Sequence, residues 1–293
     1  MTGTAGLLLD QRVRPTEPFE WAWSLHPSVL VGTALLGALY FWGIGPWRRR
    51  QGLPPARPAQ VASFSLALVL LVVSLNGPIH DLSDYYLFWV HMLQHLVLTL
   101  AFPILLLHGT PGWLLEPLAR HPRVRPAAEA LRHPVVAGTV FTVVLAFWHV
   151  VRWYQLMMES HDVHVFTHVL FMVAATIMWF PVFSNVPSLP RLSPIKAMLY
   201  VFLVSVPMQA IAAIIVFADD PLYQWYVPAP RVEQLGGLSA LEDQKLGGLL
   251  MWIPGNLWMF GVIATLFFQW VREHGETDRA EARTRREAAT AHP

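Results

Sequence analysis

Cysteine is missing entirely from these 293 residues. Disulfides, thiolate metal sites and iron–sulfur clusters held by this chain are therefore excluded. Any metal must be held by histidine, methionine, carboxylate or backbone oxygen. Charge is scarce as well: Asp, Glu, Lys and Arg make up 13% of the chain, against about 25% in an average soluble domain. With a net charge of +1 and no basic stripe, nucleic acid is not an expected partner. A P-loop, a Gly-rich dinucleotide loop and a Ser/His/Asp arrangement are all lacking. No nucleophile stands out, and the chain does not read as an enzyme. The first ten residues lack the basic segment, apolar core and cleavage site of a secretory signal.

Apolar residues supply what charge does not: 55% of the chain is hydrophobic, mean hydropathy is +0.44, and there are 13 tryptophans, a residue enriched at membrane interfaces. Seven apolar runs follow one another at 28–47, 60–76, 86–107, 133–154, 163–183, 194–217 and 246–271. Each of ~20 residues matches a hydrocarbon core of ~30 Å. The sequence thus predicts an all-α membrane protein, a seven-transmembrane-helix bundle over 28–271. A polar amino-terminal segment, 1–27, precedes it, and a charged, partly disordered tail, 272–293, follows.

Lys and Arg set the orientation. Fifteen of the twenty fall in the connectors after runs one, three and five and in the tail. By the positive-inside rule the amino terminus is outside and the carboxyl terminus cytoplasmic. The connector His80-Asp81-Leu82-Ser83-Asp84 reads as a short acidic outer loop, and 218–245 as a long one rich in aromatics.

With that topology, eight of thirteen histidines lie toward the outer side. His91-Met-Leu-Gln-His95 and His164-Val-Phe-Thr-His168 each place two imidazoles four residues apart, on one face of a spanning helix. Histidine in hydrocarbon is costly and marks a site facing the protein interior. At 1.5 Å per residue, His91 and His95 lie ~10–15 Å below the start of run three. His164 and His168 enter run five at comparable depth, and His149 closes run four there. Imidazole suits copper, zinc and haem iron alike. Met92 and Met251 are weaker ligand candidates, since thioethers favour Cu(I) but methionine in apolar helices is usually core filler. Gln94, Gln209 and Asn256 read as helix–helix hydrogen bonds.

These residues resemble a family. His91-Met92-Leu93-Gln94-His95 with Pro103, Gly109-Thr110-Pro111, Trp148-His149, the His164/His168 pair running into Phe171, Trp179-Phe180-Pro181-Val182, Asp243-Gln244-Lys245-Leu246-Gly247-Gly248 and Met251-Trp252-Ile253-Pro254 occur in the order seen in the caa3-type cytochrome c oxidase assembly factor family, CtaG. Over residues 24–272 the chain is similar to these polytopic bacterial proteins. The sequence departs from the family pattern at 150–154, where a proline is usual between His and Tyr, and at Thr167, where an acidic residue is common. The resemblance implies a multi-pass bacterial plasma-membrane protein needed to form an active haem–copper oxidase by delivering copper. Oxidase subunits and the lipid bilayer are the expected partners, with an extracytoplasmic copper chaperone and a second copy of the chain as further candidates. His91, His95, His164 and His168, with His149 fifth, are then the expected copper ligands. Two rivals stand beside this: histidine pairs on facing helices ligating haem, and a metal or proton transporter. The second fits less well, because ionisable groups crowd one half of the spans.

Overall fold

In the computed structural model, residue 12 and residues 14–290 are described, with side chains through residue 275. The signal-peptide reading of the first ten residues, and the last three residues of the tail, lie outside that range. Eleven helices, two single-turn 3-10 helices (Gln224–Tyr226 and Glu233–Leu235) and no strand are found among the described residues. The eleven are α1 (Pro27–Arg50), α2 (Pro58–Ser74), α3 (Gly77–Tyr86), α4 (Phe88–Gly109), α5 (Gly112–Arg120), α6 (Arg125–Arg132), α7 (Pro134–His149), α8 (Val151–Glu159), α9 (His161–Phe183), α10 (Pro194–Val216) and α11 (Ala240–Thr290). Five of these are long and apolar enough to cross a membrane by themselves. The count rises to seven if α2 with α3, bent by 58°, and α6 with α7, bent by 81°, each make one span.

Local chemistry sets the ends. Pro27, Pro58, Pro134 and Pro194 open their helices, where a missing N–H costs nothing. Ser160 caps α9 by accepting from Val163 N. The cap of α4 comes from far along the chain: Asp243 accepts from Phe88 N at 2.8 Å and Trp89 N at 3.0 Å. Midway along α4, the turn Val97–Ala101 is wide and π-like ahead of Pro103. A proline cannot donate to the carbonyl four residues back. Trp179 Nε1 donates to that carbonyl, Thr99 O, at 2.9 Å.

Several differences from the sequence reading are physical. Run four breaks at Val150, an extended residue (φ −66°, ψ 126°), so His149 is the last residue of α7 and α8 turns away. The loop expected around 108–132 contains α5 and α6. Beyond residue 271 the helix continues to Thr290, through a stretch rich in the helix formers Ala, Glu and Arg.

Packing is close where glycine allows it. A Cβ on Gly112 would lie 1.7 Å from Asn185 O, and one on Gly109 would lie 2.5 Å from Phe64 N. Leu35, Val169, Leu203, Leu257 and Phe268 are exposed on the outside of the bundle. That is the pattern of helices whose partner is lipid. The core follows α4, α7, α9, α10 and α11, and runs from Phe88 and Met92 past Phe171 and Trp179 to Leu266.

Candidate metal centre

Five imidazoles meet between α3, α4 and α9. His91 and His95 stack at 4.4 Å between ring centroids, and His164 and His168 stand at 4.5 Å. The two pairs face each other, with His91 5.8 Å from His164 and His95 5.3 Å from His168. His80 joins from α3, 6.1 Å from His168 and 6.3 Å from His164. All five are buried. The i, i+4 spacing read from the sequence does bring both pairs to one place.

Asp84 anchors the group. Its Oδ1 lies 3.2 Å from His164 Nε2, its Oδ2 lies 3.3 Å from His80 Nε2, and Arg12 pairs with the same Oδ2. Burial alone would lower the Arg12 pKa, but the Asp84 carboxylate beside it raises it on balance, so Arg12 remains a fixed cation. Gln94 fixes His80 from the other side: its Nε2 donates to Ser74 O at 2.5 Å and meets His80 Nδ1 at 3.1 Å. With Nε2–H toward Asp84, His80 Nδ1 is the acceptor, and both its nitrogens are satisfied. Carboxylate–histidine pairs of this sort orient ligands around metals. Thr167 contributes no such group, because its hydroxyl donates to Val163 O of its own helix.

Asp84 and Arg12 were not expected here. The sequence reads 80–84 as a short acidic outer loop, yet Asp84 is 3% exposed. The same i, i+4 spacing, His80 to Asp84, was the available signal. Arg12 carries none, lying 72 positions from its partner. The long aromatic connector also proves to be part of the site's roof. Trp225 Nε1 donates to Asp84 O at 2.7 Å, Tyr226 hydroxyl to Ser83 O at 2.6 Å, and Tyr223 hydroxyl to His149 O at 3.1 Å. Gln244 Oε1 holds the connector's start by accepting from Leu222 N at 2.6 Å.

What the group lacks is partners for its nitrogens. Both nitrogens of His91, Nδ1 of His164 and His168, and Nε2 of His95 and His149 are buried without a hydrogen bond among the described residues. His164 Nε2 and His168 Nε2 face each other at 2.7 Å. Each unsatisfied buried group costs about 1–3 kcal/mol. A fold retains several together where something else takes the lone pairs. Atoms of His80, Asp84 and His168 lie within 4.8 Å of one another, an ion-sized spacing, though an ion there would have to displace the contacts His80 makes with Asp84 or Gln94.

The remaining candidates lie close by. His149 is held by Nδ1–H donating to Leu145 O at 2.7 Å, and it shares a small cavity with His95, Met92 and Met251 rather than joining the Asp84 group. Gln209 Nε2 and Asn256 Oδ1 make the helix–helix hydrogen bond expected of them, at 2.5 Å.

A mostly apolar cleft of about 500 Å³ runs from His80, Asp84, His164 and His168 outward between α1, α2, α4 and α9. Val169 and Val173, both half exposed at mid-helix on α9, form part of its wall, so it opens sideways.

Long apolar helices enclosing buried imidazoles and a compensated carboxylate define a multi-pass membrane protein with an internal polyhistidine centre. Residues 38–273 match the family model of the cytochrome c oxidase caa3 assembly factors (Caa3_CtaG). The chain belongs to that family. No curated protein and no solved structure matches it.

Proposed function

We propose that this chain acts in oxidase assembly by binding copper at the outer histidine group and handing it to a haem–copper oxidase subunit. The observation that carries the reading is the set of buried imidazole nitrogens without partners, brought together from α4 and α9 beside Asp84. His91, His95, His164 and His168 are the ligands of choice, with Asp84 and Gln94 setting ring orientation through His80 and His164. Neutral imidazoles bind a cation through their lone pairs, and because Asp84 is already paired with Arg12 an ion of low charge such as Cu(I) is the one the bundle accommodates most readily. The receiving copper centres of such oxidases are also histidine-ligated, so exchange is near isoenergetic. On a reading of seven spans, each bent pair counted as one, with the amino terminus outside as the Lys/Arg distribution suggests, the group lies toward the extracytoplasmic face. That topology fits a bacterial plasma-membrane protein supplied from outside, by a chaperone or by free metal. The role is binding and transfer, not catalysis.

Haem is the less favoured cargo. A porphyrin needs a slot between its axial histidines, and here the rings pack against one another at 4.4–5.8 Å. The test is elemental analysis and an absorption spectrum of the detergent-purified protein, beside a His164→Ala/His168→Ala variant. Copper in the wild type and clearly less in the variant, with oxidase activity lost in cells, is the expected outcome. A Soret band, or equal copper in both proteins, rejects the reading.

A further inference from the structure

Beside the histidine group lies a second, smaller space of different chemistry. It is a cavity of about 20 Å³, lined by Met92, His95, His149, Met208 and Met251, with Thr99 and apolar side chains completing the wall. A space that size holds one water or one ion, since about 10–15 Å³ suffices for a water. His95 lies between this space and the Asp84 group; with its single lone pair given to this space, His91, His164 and His168 remain for the other.

The donors have a definite character. His149 uses Nδ1–H for Leu145 O, which leaves Nε2 as a bare lone pair, buried and without partner. His95 Nε2 is likewise buried without a hydrogen bond among the described residues. Three thioethers arrive from three helices: Met92 from α4, Met208 from α10 and Met251 from α11, and all three are buried. Glycines on α11 make room for two of them. A Cβ on Gly247 would lie 3.1 Å from Met92 Cγ, and one on Gly255 would lie 3.0 Å from Met208 Cε. The Thr99 hydroxyl is turned back to His95 O at 2.6 Å. No carboxylate lines the space.

We infer that this cavity is a second metal site, built for Cu(I) and distinct from the carboxylate-bearing histidine group. Soft thioethers with imidazole select a soft monovalent ion. The absence of an anionic ligand points the same way, because a divalent ion in an apolar interior would be left with more uncompensated charge. Methionine as mere filler explains three flexible side chains, but not two histidines with unpaired ring nitrogens lining the same ion-sized space. The inference takes only the nature of the cargo from the copper reading above, and the two sites are separable by experiment.

The experiment is a Cu(I) titration of the full-length detergent-purified chain against a chromophoric Cu(I) chelator, with copper K-edge absorption on the loaded protein. Wild type is expected to hold two Cu(I) per chain, with sulfur neighbours in the absorption signal. Met92→Leu/Met208→Leu/Met251→Leu, a near volume-conserving change, is expected to hold one and to lose the sulfur signature. His164→Ala/His168→Ala is expected to keep the sulfur-ligated ion and lose the other. Two ions retained in the leucine variant, or wild-type copper with only nitrogen and oxygen neighbours, overturns the site. Should the leucine variant fail to fold, the wild-type sulfur signal decides alone. One Cu(I) in the wild type, with sulfur neighbours, upholds this site and rejects the histidine-group reading instead.

Discussion

The Arg12–Asp84 pair governs how much charge the histidine group tolerates. Both side chains are almost wholly buried, at 3% and 4% exposure, and removing one partner strands the other. Such breaks cost about 3–5 kcal/mol, whereas replacing both by neutral groups is often near neutral. Asp84→Asn is therefore expected to lower the unfolding temperature sharply, and Arg12→Met/Asp84→Asn to recover most of the loss in a thermal melt. If the double variant is as unstable as the single one, Asp84 matters for some reason other than its pairing with Arg12. At this scale the sequence was legible where spacing carried the signal. His91, His95, His164 and His168 follow from their i, i+4 periods. Asp84 shares that period with His80, but a polar connector gives no sign that it is buried. Arg12 is brought in by tertiary folding alone.

Helix ends show why motif residues outside the histidines matter. Asp243 holds the first turn of α4 by two backbone N–H groups, three residues before His91. Losing a helix cap costs about 0.5–2 kcal/mol, and the freed turn carries His91 with it. Asp243→Ala is expected to destabilise by that amount and to weaken copper binding in the same titration. Normal copper affinity in that variant would show that His91 is positioned by its packing instead. Trp179→Phe leaves Thr99 O unpaired at the Pro103 break, at a cost of about 1–3 kcal/mol, measurable as a lower denaturation midpoint with the helical content retained. Apolar runs revealed the long helices to within a few residues, except that α11 begins at Ala240 and ends at Thr290, well outside the run at 246–271. They hid the break at Val150, because an apolar residue in an extended conformation looks like any other member of an apolar run. The bends beside α3 and α6 fall instead at Asn76-Gly77 and at His133, at the ends of apolar runs, where the pattern does not tell a bend from a loop.

Across the whole molecule, topology decides which compartment the histidine group serves. The cysteine-free chain makes this directly testable, because any introduced thiol is the chain's sole reactive one. Asp219 and Arg123 are both exposed and lie in connectors on opposite sides of the expected bundle. Asp219→Cys should be labelled in intact cells by an impermeant maleimide, and Arg123→Cys only after lysis. The reverse pattern would turn the histidine group toward the cytoplasm and remove the handover route. Composition was enough to reveal the bundle, but the sideways cleft was not, since it arises from how α1, α2, α4 and α9 diverge. Because that cleft joins the imidazoles to the outer wall of the bundle while Arg12, Trp225 and Tyr226 roof them over, the surrounding lipid becomes part of the site's dielectric. Acyl-chain length and order then act as a tuning variable, and metal affinity measured in a loosely packed micelle is expected to differ from that in a nanodisc.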